Sequence, residues 1–159
     1  MYIGSDHGGF PLKEHLVGYL SNKDYEVKDF GTHSTDAVDY PDVAFLVARA
    51  VAEALAAGRL VRGIMIDAVG VASSMVANRV PGIRSAPCWN EFSAHSAREH
   101  NDANMLTLGG RMLGTGLAER IVDEFLQTDF AGGRHARRVA KIHEVTGDGV
   151  VVGSNQRRS

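Results

Sequence analysis

The sequence predicts an α/β fold in which a five-stranded parallel sheet is covered by helices on both faces. Two observations carry that expectation. Short β-like runs alternate with amphipathic helical stretches along the chain, the pattern of a parallel sheet with helical returns. Glycines also sit where runs meet stretches: Gly8 and Gly9, Gly31, Gly58 and Gly63, Gly70, Gly82, Gly109 and Gly110, Gly114 and Gly116. That punctuation absorbs most of a glycine excess, 18 in 159 residues against a usual ~7%. A chain of this length fits one domain, with ~150 residues as a soft guide. It can bury a core without disulfide or metal staples.

The strand candidates in order are Tyr2–Ser5, Tyr25–Phe30, Val61–Ile66, Ile83–Pro87 and Met105–Leu108. The intervening helices are expected near Pro11–Ser21, Asp42–Ala57, Val71–Arg79, Asn90–Glu99 and Thr115–Gln127. The first helix opens on Pro11, a natural first helical residue, and stacks Leu12, Leu16, Tyr19 and Leu20 on one stripe. The second repeats Val43, Val47, Ala50, Val51 and Ala54, leaving Arg49 and Glu53 to water, and the fifth turns Leu117, Ile121, Val122 and Phe125 inward. After Gly132-Gly133 a sixth helix, about Arg134–Val145, is appended beyond the sheet. The domain is therefore expected over residues 1–145. Residues 146–159 read as a mobile tail, in which Gly147-Asp148-Gly149 could turn a short hairpin.

Composition excludes several function classes. Seventeen Lys and Arg against 19 Asp and Glu leave a net charge of −2, so no basic nucleic-acid footprint is expected for the whole chain. The single cysteine, Cys88, excludes an intramolecular disulfide, cysteine-based zinc knuckles and iron–sulfur clusters, and fits a reducing compartment. No basic neighbour in sequence lowers its pKa, so a small buried hydrophobe is the expected role. The longest apolar stretch, Val43 to Ala57, is broken by Arg49 and Glu53, which argues against a membrane span. The first residues carry neither a basic region nor an apolar signal segment. A soluble cytoplasmic protein is expected.

In open parallel sheets, ligands bind beyond the carboxyl ends of the strands where the strand order reverses. With the common order 2-1-3-4-5, that crevice lies between the first and third strands. The first ends in Ser5-Asp6-His7-Gly8-Gly9 and the third in Asp67-Ala68-Val69-Gly70, so two carboxylates and an imidazole converge there. Asp6-His7 reads equally as a turn with a helix cap, and Asp67 as an N-cap. With one glycine, the second loop is a weak phosphate cradle. Farther on, His100-Asn101-Asp102 ends the fourth helix, where a histidine could simply answer the helix dipole. The last helix places Arg134, Arg138 and Lys141 on one face, a solvated basic stripe or a site for a small anion such as phosphate. The scattered histidines show no HxxxH or HExxH spacing, so metal binding is not expected.

Four segments together resemble a known family: Gly4-Ser5-Asp6-His7-Gly8-Gly9-Phe10, Asp39-Tyr40-Pro41-Asp42, Arg98-Glu99-His100-Asn101-Asp102-Ala103-Asn104 and Gly132-Gly133-Arg134-His135. The chain is similar, from Met1 to about Ile142, to the type B ribose-5-phosphate isomerases, a family that includes the galactose-6-phosphate isomerase subunits. The resemblance implies a Rossmann-like αβα sandwich, a homodimer or dimer of dimers with active sites at the subunit interface, and no metal or cofactor. It implies that Asp6 and His100 open the sugar ring, and that His7, Arg111, Arg134 and Arg138 bind phosphate. His100 and Arg111 would come from the neighbouring subunit. Asn101 would hydrogen-bond sugar hydroxyls, with Tyr40 and His135 adjacent.

The departure lies in one loop. Most type B ribose-5-phosphate isomerases read Cys-Gly-Thr-Gly-x-Gly there, with the cysteine as proton-transferring base. This chain reads Asp67-Ala68-Val69-Gly70-Val71-Ala72. Ile66-Asp67-Ala68-x-Gly70 followed by Met75-Val76-Ala77 instead resembles the A subunit of galactose-6-phosphate isomerase.

Aldose–ketose isomerisation needs a base that moves a proton between adjacent carbons through a cis-enediol(ate), and donors for the developing oxyanion. Asp67 can fill the base role in charge type, as glutamate from the same loop does in another branch of the family. The backbone N–H groups of Gly70 and Val71 are the expected oxyanion donors. A helix N-terminus favours ionised Asp67, whereas burial against Val69 and Val71 disfavours it. Trp89, Asn90 and Val69 are candidate selectors among sugar phosphates. Two other readings remain open: a sugar-phosphate-binding subunit weakly active without a partner, and a flavodoxin-like binding module, which lacks a GxGxxG or P-loop.

Overall fold

The computed structural model describes residues 1–146. The sequence-derived tail, from Thr146 onward, thus lies outside the described residues except for Thr146 itself, which closes the last helix. The elements run β1 (Tyr2–Ser5), α1 (Phe10–Ser21), β2 (Lys28–Asp29), α2 (Tyr40–Ala56), β3 (Gly63–Asp67), α3 (Ala72–Ala77), β4 (Ser85–Pro87), α4 (Glu91–Glu99), β5 (Met105–Gly109), α5 (Thr115–Gln127) and α6 (Arg134–Thr146). All strand pairs are parallel.

The strand order is β2-β1-β3-β5-β4, which corrects the expected 2-1-3-4-5. β5 takes the inner place because all five of its residues are buried, as are those of β3 beside it. β4 is three half-buried residues ending in Pro87, which has no N–H to give a second neighbour and suits an edge. The reversal between β1 and β3 survives this correction, so the expected crevice keeps its place. β2 is shorter than the expected Tyr25–Phe30. The run nevertheless follows β1 on both sides, with Lys28 N–H bonded to Met1 O (2.8 Å) and Ser5 N–H to Gly31 O (2.7 Å). α3 stops at Ala77 because the chain tightens through Arg79 N–H to Val76 O and Val80 N–H to Ala77 O before Pro81.

Three layers result. On one face Ile3, Ile64, Ile66, Leu106 and Leu108 pack against Leu12, Leu16 and Leu20 of α1, Ala94 and Ala97 of α4, and Ile121, Val122 and Phe125 of α5. On the other, Met65 and Met105 meet Ala44, Val47, Ala48 and Val51 of α2 with Ala77, Val80 and Ile83. Alternation along each strand divides the residues between the faces. One feature that periodicity missed is Lys13. It is wholly buried in α1, its Nζ bonded to Asp29 at 2.5 Å, and it ties α1 to the β2 edge.

Parallel strands with helical returns give the sheet two distinct ends. At the carboxyl end the loops after β1, β3 and β5 touch backbone to backbone. A Cβ on Gly9 would lie 2.2 Å from the Ile66 carbonyl oxygen, and one on Gly110 would lie 2.8 Å from Gly9 Cα. Only glycine permits that approach. Gly110→Ala is therefore expected to destabilise the fold by about 1–3 kcal/mol, read as a lower urea midpoint with an unchanged slope.

Candidate active site

A cleft of about 370 Å³ opens at the carboxyl end, lined by Asp6, Tyr40, Asp67, Ala68, Val69, Val71 and Ala72. Asp67 ends β3 and is 4% exposed. Its Oδ1 accepts the N–H of Val69 (2.8 Å) and that of Gly70, and its Oδ2 accepts the N–H (2.9 Å) and hydroxyl (2.5 Å) of Ser73. Burial pushes the Asp67 pKa up, but these bonds together outweigh it and hold the carboxyl below its ordinary value. The balance left open by the sequence thus falls to the ionised form.

The Gly70 N–H, one of the two expected oxyanion donors, donates to Asp67 in this structure. The Val71 N–H makes no hydrogen bond among the described residues. Gly70 itself has φ +87° and passes so close to β5 that a Cβ would meet the Leu108 carbonyl carbon at 2.7 Å. Thr107 of β5 donates its hydroxyl to Gly70 O at 2.6 Å, fastening the loop from the other side.

Asp6, 6% exposed, accepts the Gly9 N–H on Oδ1 at 2.9 Å. Beside it, His7 Nδ1 lies 3.3 Å from the Val38 N–H nitrogen, so the segment after β2 folds against the imidazole. Tyr40 opens α2. Arg111 follows β5 and is exposed, its N–H donating to Ala68 O at 3.1 Å. Cys88 is buried, and burial pushes its thiol up to about 11, which makes it an inert core side chain.

The remaining candidates lie at the amino end of the sheet. His100 ends α4, with Nε2 2.9 Å from Glu99 and Nδ1 3.3 Å from Ser96 Oγ. Its ring stacks on His135 of α6, centroids 4.4 Å apart. Burial, then the charges of His100, Arg134 and Arg138, lower the His135 pKa. Asn101 donates to Ser96 O at 3.0 Å. Arg134 and Arg138 project from α6 as exposed cations. Beneath this turn Arg84 donates to the carbonyls of Asn101 (3.2 Å) and Asp102 (2.9 Å), and to the Asp102 carboxylate at 2.8 Å.

The profile of the Ribose/Galactose Isomerase family matches residues 1–142. The chain belongs to that family. It is 44% identical over 140 residues to ribose-5-phosphate isomerase B of Escherichia coli, covering 88% of this chain and 91% of the relative. Ribose-5-phosphate isomerase B of Clostridium thermocellum has a similar structure, with TM-score 0.87 and 50% identity over 92% of this chain and 96% of that one. The Mycoplasma genitalium enzyme, determined with bound ribulose 5-phosphate, gives TM-score 0.86 and 40% identity over 92% and 95% of the two chains.

In this member of the ribose/galactose isomerase family the candidate residues separate into two sets. Asp6, His7, Tyr40, Asp67, Gly70, Val71 and Arg111 stand at the carboxyl end. His100, Asn101, Arg134 and Arg138 stand at the amino end. Arg111 and His100, both expected from a neighbour, lie far apart within one chain. His100 precedes β5 and Arg111 follows it, so one strand holds them at opposite ends. Sequence reasoning also missed Ser73, Glu99 and Arg84. Ser73 carried a signal, since a serine near a helix start six residues after a strand-ending Asp is a capping pattern. Glu99 carried one too, since its partners His95 and His100 lie four residues before it and one after, whereas Arg84 carried none, because its partners are fixed by packing.

Two outcomes follow from Asp67. Ser73→Ala removes a hydroxyl bond to a buried charge and is expected to cost about 1–3 kcal/mol in urea unfolding. A depressed folded pKa adds stability above the unfolded value of 3.8 and loses it as pH falls through the folded value. Urea titrations below about pH 4 should therefore show wild type losing stability relative to Asp67→Asn.

Proposed function

We propose that this chain is an aldose–ketose isomerase of a phosphorylated sugar, working through a cis-enediol(ate). The substrate is ribose 5-phosphate/ribulose 5-phosphate or a related sugar phosphate. The observation that carries the reading is the division of the candidate residues between the two ends of one sheet. Each chain holds the complement of what its own cleft lacks. A second copy would complete the cleft by bringing His100, Asn101, Arg134 and Arg138 to face Asp6, His7, Tyr40 and Val71. The guanidinium forks suit a phosphate, the imidazole suits proton transfer to ring oxygen, and no metal or cofactor enters.

Association through the carboxyl end is supported by the exposed Val69, Trp89, Phe92 and Met112 around it, an apolar rim that a monomer would leave in water. Trp89, Asn90 and Val69 are then the residues placed to select among sugar phosphates. Asp67 stands where most members carry the catalytic cysteine, so the proton transfer falls to a carboxylate of the cleft in place of a thiol. A binding subunit that needs a catalytic partner is the second reading, favoured by one observation: the four bonds that occupy Asp67.

A panel of aldose and ketose phosphates in deuterated buffer tests the first reading, with turnover and solvent deuterium in the product expected. No turnover or uptake from any sugar leaves the binding-subunit reading standing. Arg134→Ala should raise KM for phosphorylated substrates roughly tenfold or more, as expected for a lost charged contact; an unchanged KM removes Arg134 from phosphate binding. Shared sites make a sharper demand. Mixing inactive Asp6→Asn with inactive His100→Ala, after dissociation and reassociation, should restore roughly a quarter of wild-type activity. Half the dimers are then mixed, and each mixed dimer has one intact site of two.

A further inference from the structure

Asp6 and Asp67 both border the cleft, but they differ in what remains free to react. Asp67 is fully engaged: two donors reach each oxygen, and Ser73, which supplies two of the four, is itself wholly buried. Protonating Asp67 would strand buried donors that have no water to turn to. Asp6 is held at one oxygen only. Its Oδ1 takes the Gly9 N–H, its own N–H donates to Ile66 O at 3.0 Å, and its carbonyl accepts from Gly9 at 3.2 Å. Oδ2 takes no hydrogen bond among the described residues and is not among the sealed polar atoms. It is an oriented carboxylate oxygen open to the cleft.

Resting on the isomerase reading, we propose that Asp6 is the proton-transferring base of this chain and that Asp67 is a positioning residue for the loop between β3 and α3. Starting from the aldose, Asp6 Oδ2 takes the C2 proton of the open-chain sugar. The C–H electron pair forms the C1–C2 double bond, and the carbonyl pair moves onto O1. The proton on O2 passes to O1 across the cis-enediol, the C2 carbonyl forms, and protonated Asp6 returns its proton to C1. One carboxylate serves both transfers with no oxidant or reductant.

Asp6→Asn keeps an oxygen for the Gly9 N–H, so it removes the base while sparing the loop. The assay is loss of C1 deuterium to water from a 2-ketopentose 5-phosphate. That sugar cannot close a furanose ring because its O5 carries the phosphate, so ring opening plays no part. Asp6→Asn should lower exchange by about 10³-fold while binding the sugar phosphate within about threefold of wild type by calorimetry. Asp67→Asn should retain exchange within about tenfold and melt at a lower temperature. Exchange retained by Asp6→Asn, or lost by an Asp67→Asn protein that still binds, would overturn the assignment. A folded wild type that exchanges no ketose phosphate sinks the isomerase reading itself, which is a separate failure.

Discussion

Backbone contact among the loops after β1, β3 and β5 is the constraint from which the rest of the carboxyl end follows. Gly9 lies against the Ile66 carbonyl, Gly110 against Gly9, and Gly109 against Val69, each at a separation that forbids a Cβ. Hydrogen bonds close the same seam, with Asp6 N–H on Ile66 O, Gly110 N–H on Asp67 O at 2.7 Å and Arg111 N–H on Ala68 O. Buried backbone groups are thereby satisfied without water. Asp6 and Asp67 are carried on this seam, so their separation and direction are properties of the packed backbone rather than of flexible loops.

On that frame, a carboxylate at position 67 behaves differently from a thiol. An ionised Asp draws in several nearby donors, here three backbone N–H groups and a hydroxyl, and the loop is fastened around it. The same bonds that anchor the loop lower the affinity of Asp67 for a proton and use the Gly70 N–H. Position and reactivity pull apart at this residue. The only thiol of the chain, Cys88, sits in the core with its pKa raised. Chemistry at this cleft therefore rests on oxygen and nitrogen groups.

The amino end shows the opposite style of construction. Its groups are held by side chains: Glu99 on His100, His100 on His135, and Arg84 spanning Asn101 and Asp102. α6 reaches this end because Ala131 N–H bonds Glu99 O at 3.0 Å and His143 meets Arg84 at 2.9 Å. The appended helix thus delivers its arginines beside the histidine rather than to the cleft of its own chain. The central strands β3 and β5, five residues each at ~3.3 Å per residue, keep the two groups apart within one copy.

Much of this was legible in the sequence. Alternating runs, glycine punctuation and inward stripes such as Leu12-Leu16-Leu20 and Ile121-Val122-Phe125 gave the layers, because burial periodicity is written locally. The segments around Asp6, His100 and Arg134 gave the family and the candidate residues. The order of β4 and β5 was not read, although Pro87 marks an edge, because strand neighbours are chosen by long-range packing. Lys13 with Asp29, Asp67 with Ser73 and the separation of His100 from Arg111 likewise needed coordinates. The sequence determined by itself which residues could do chemistry and which helices would cover the sheet, since both depend on residue type and local spacing. Only the tertiary structure decided which groups face one cleft and which lone pairs remain unused. Those depend on where distant backbone donors arrive.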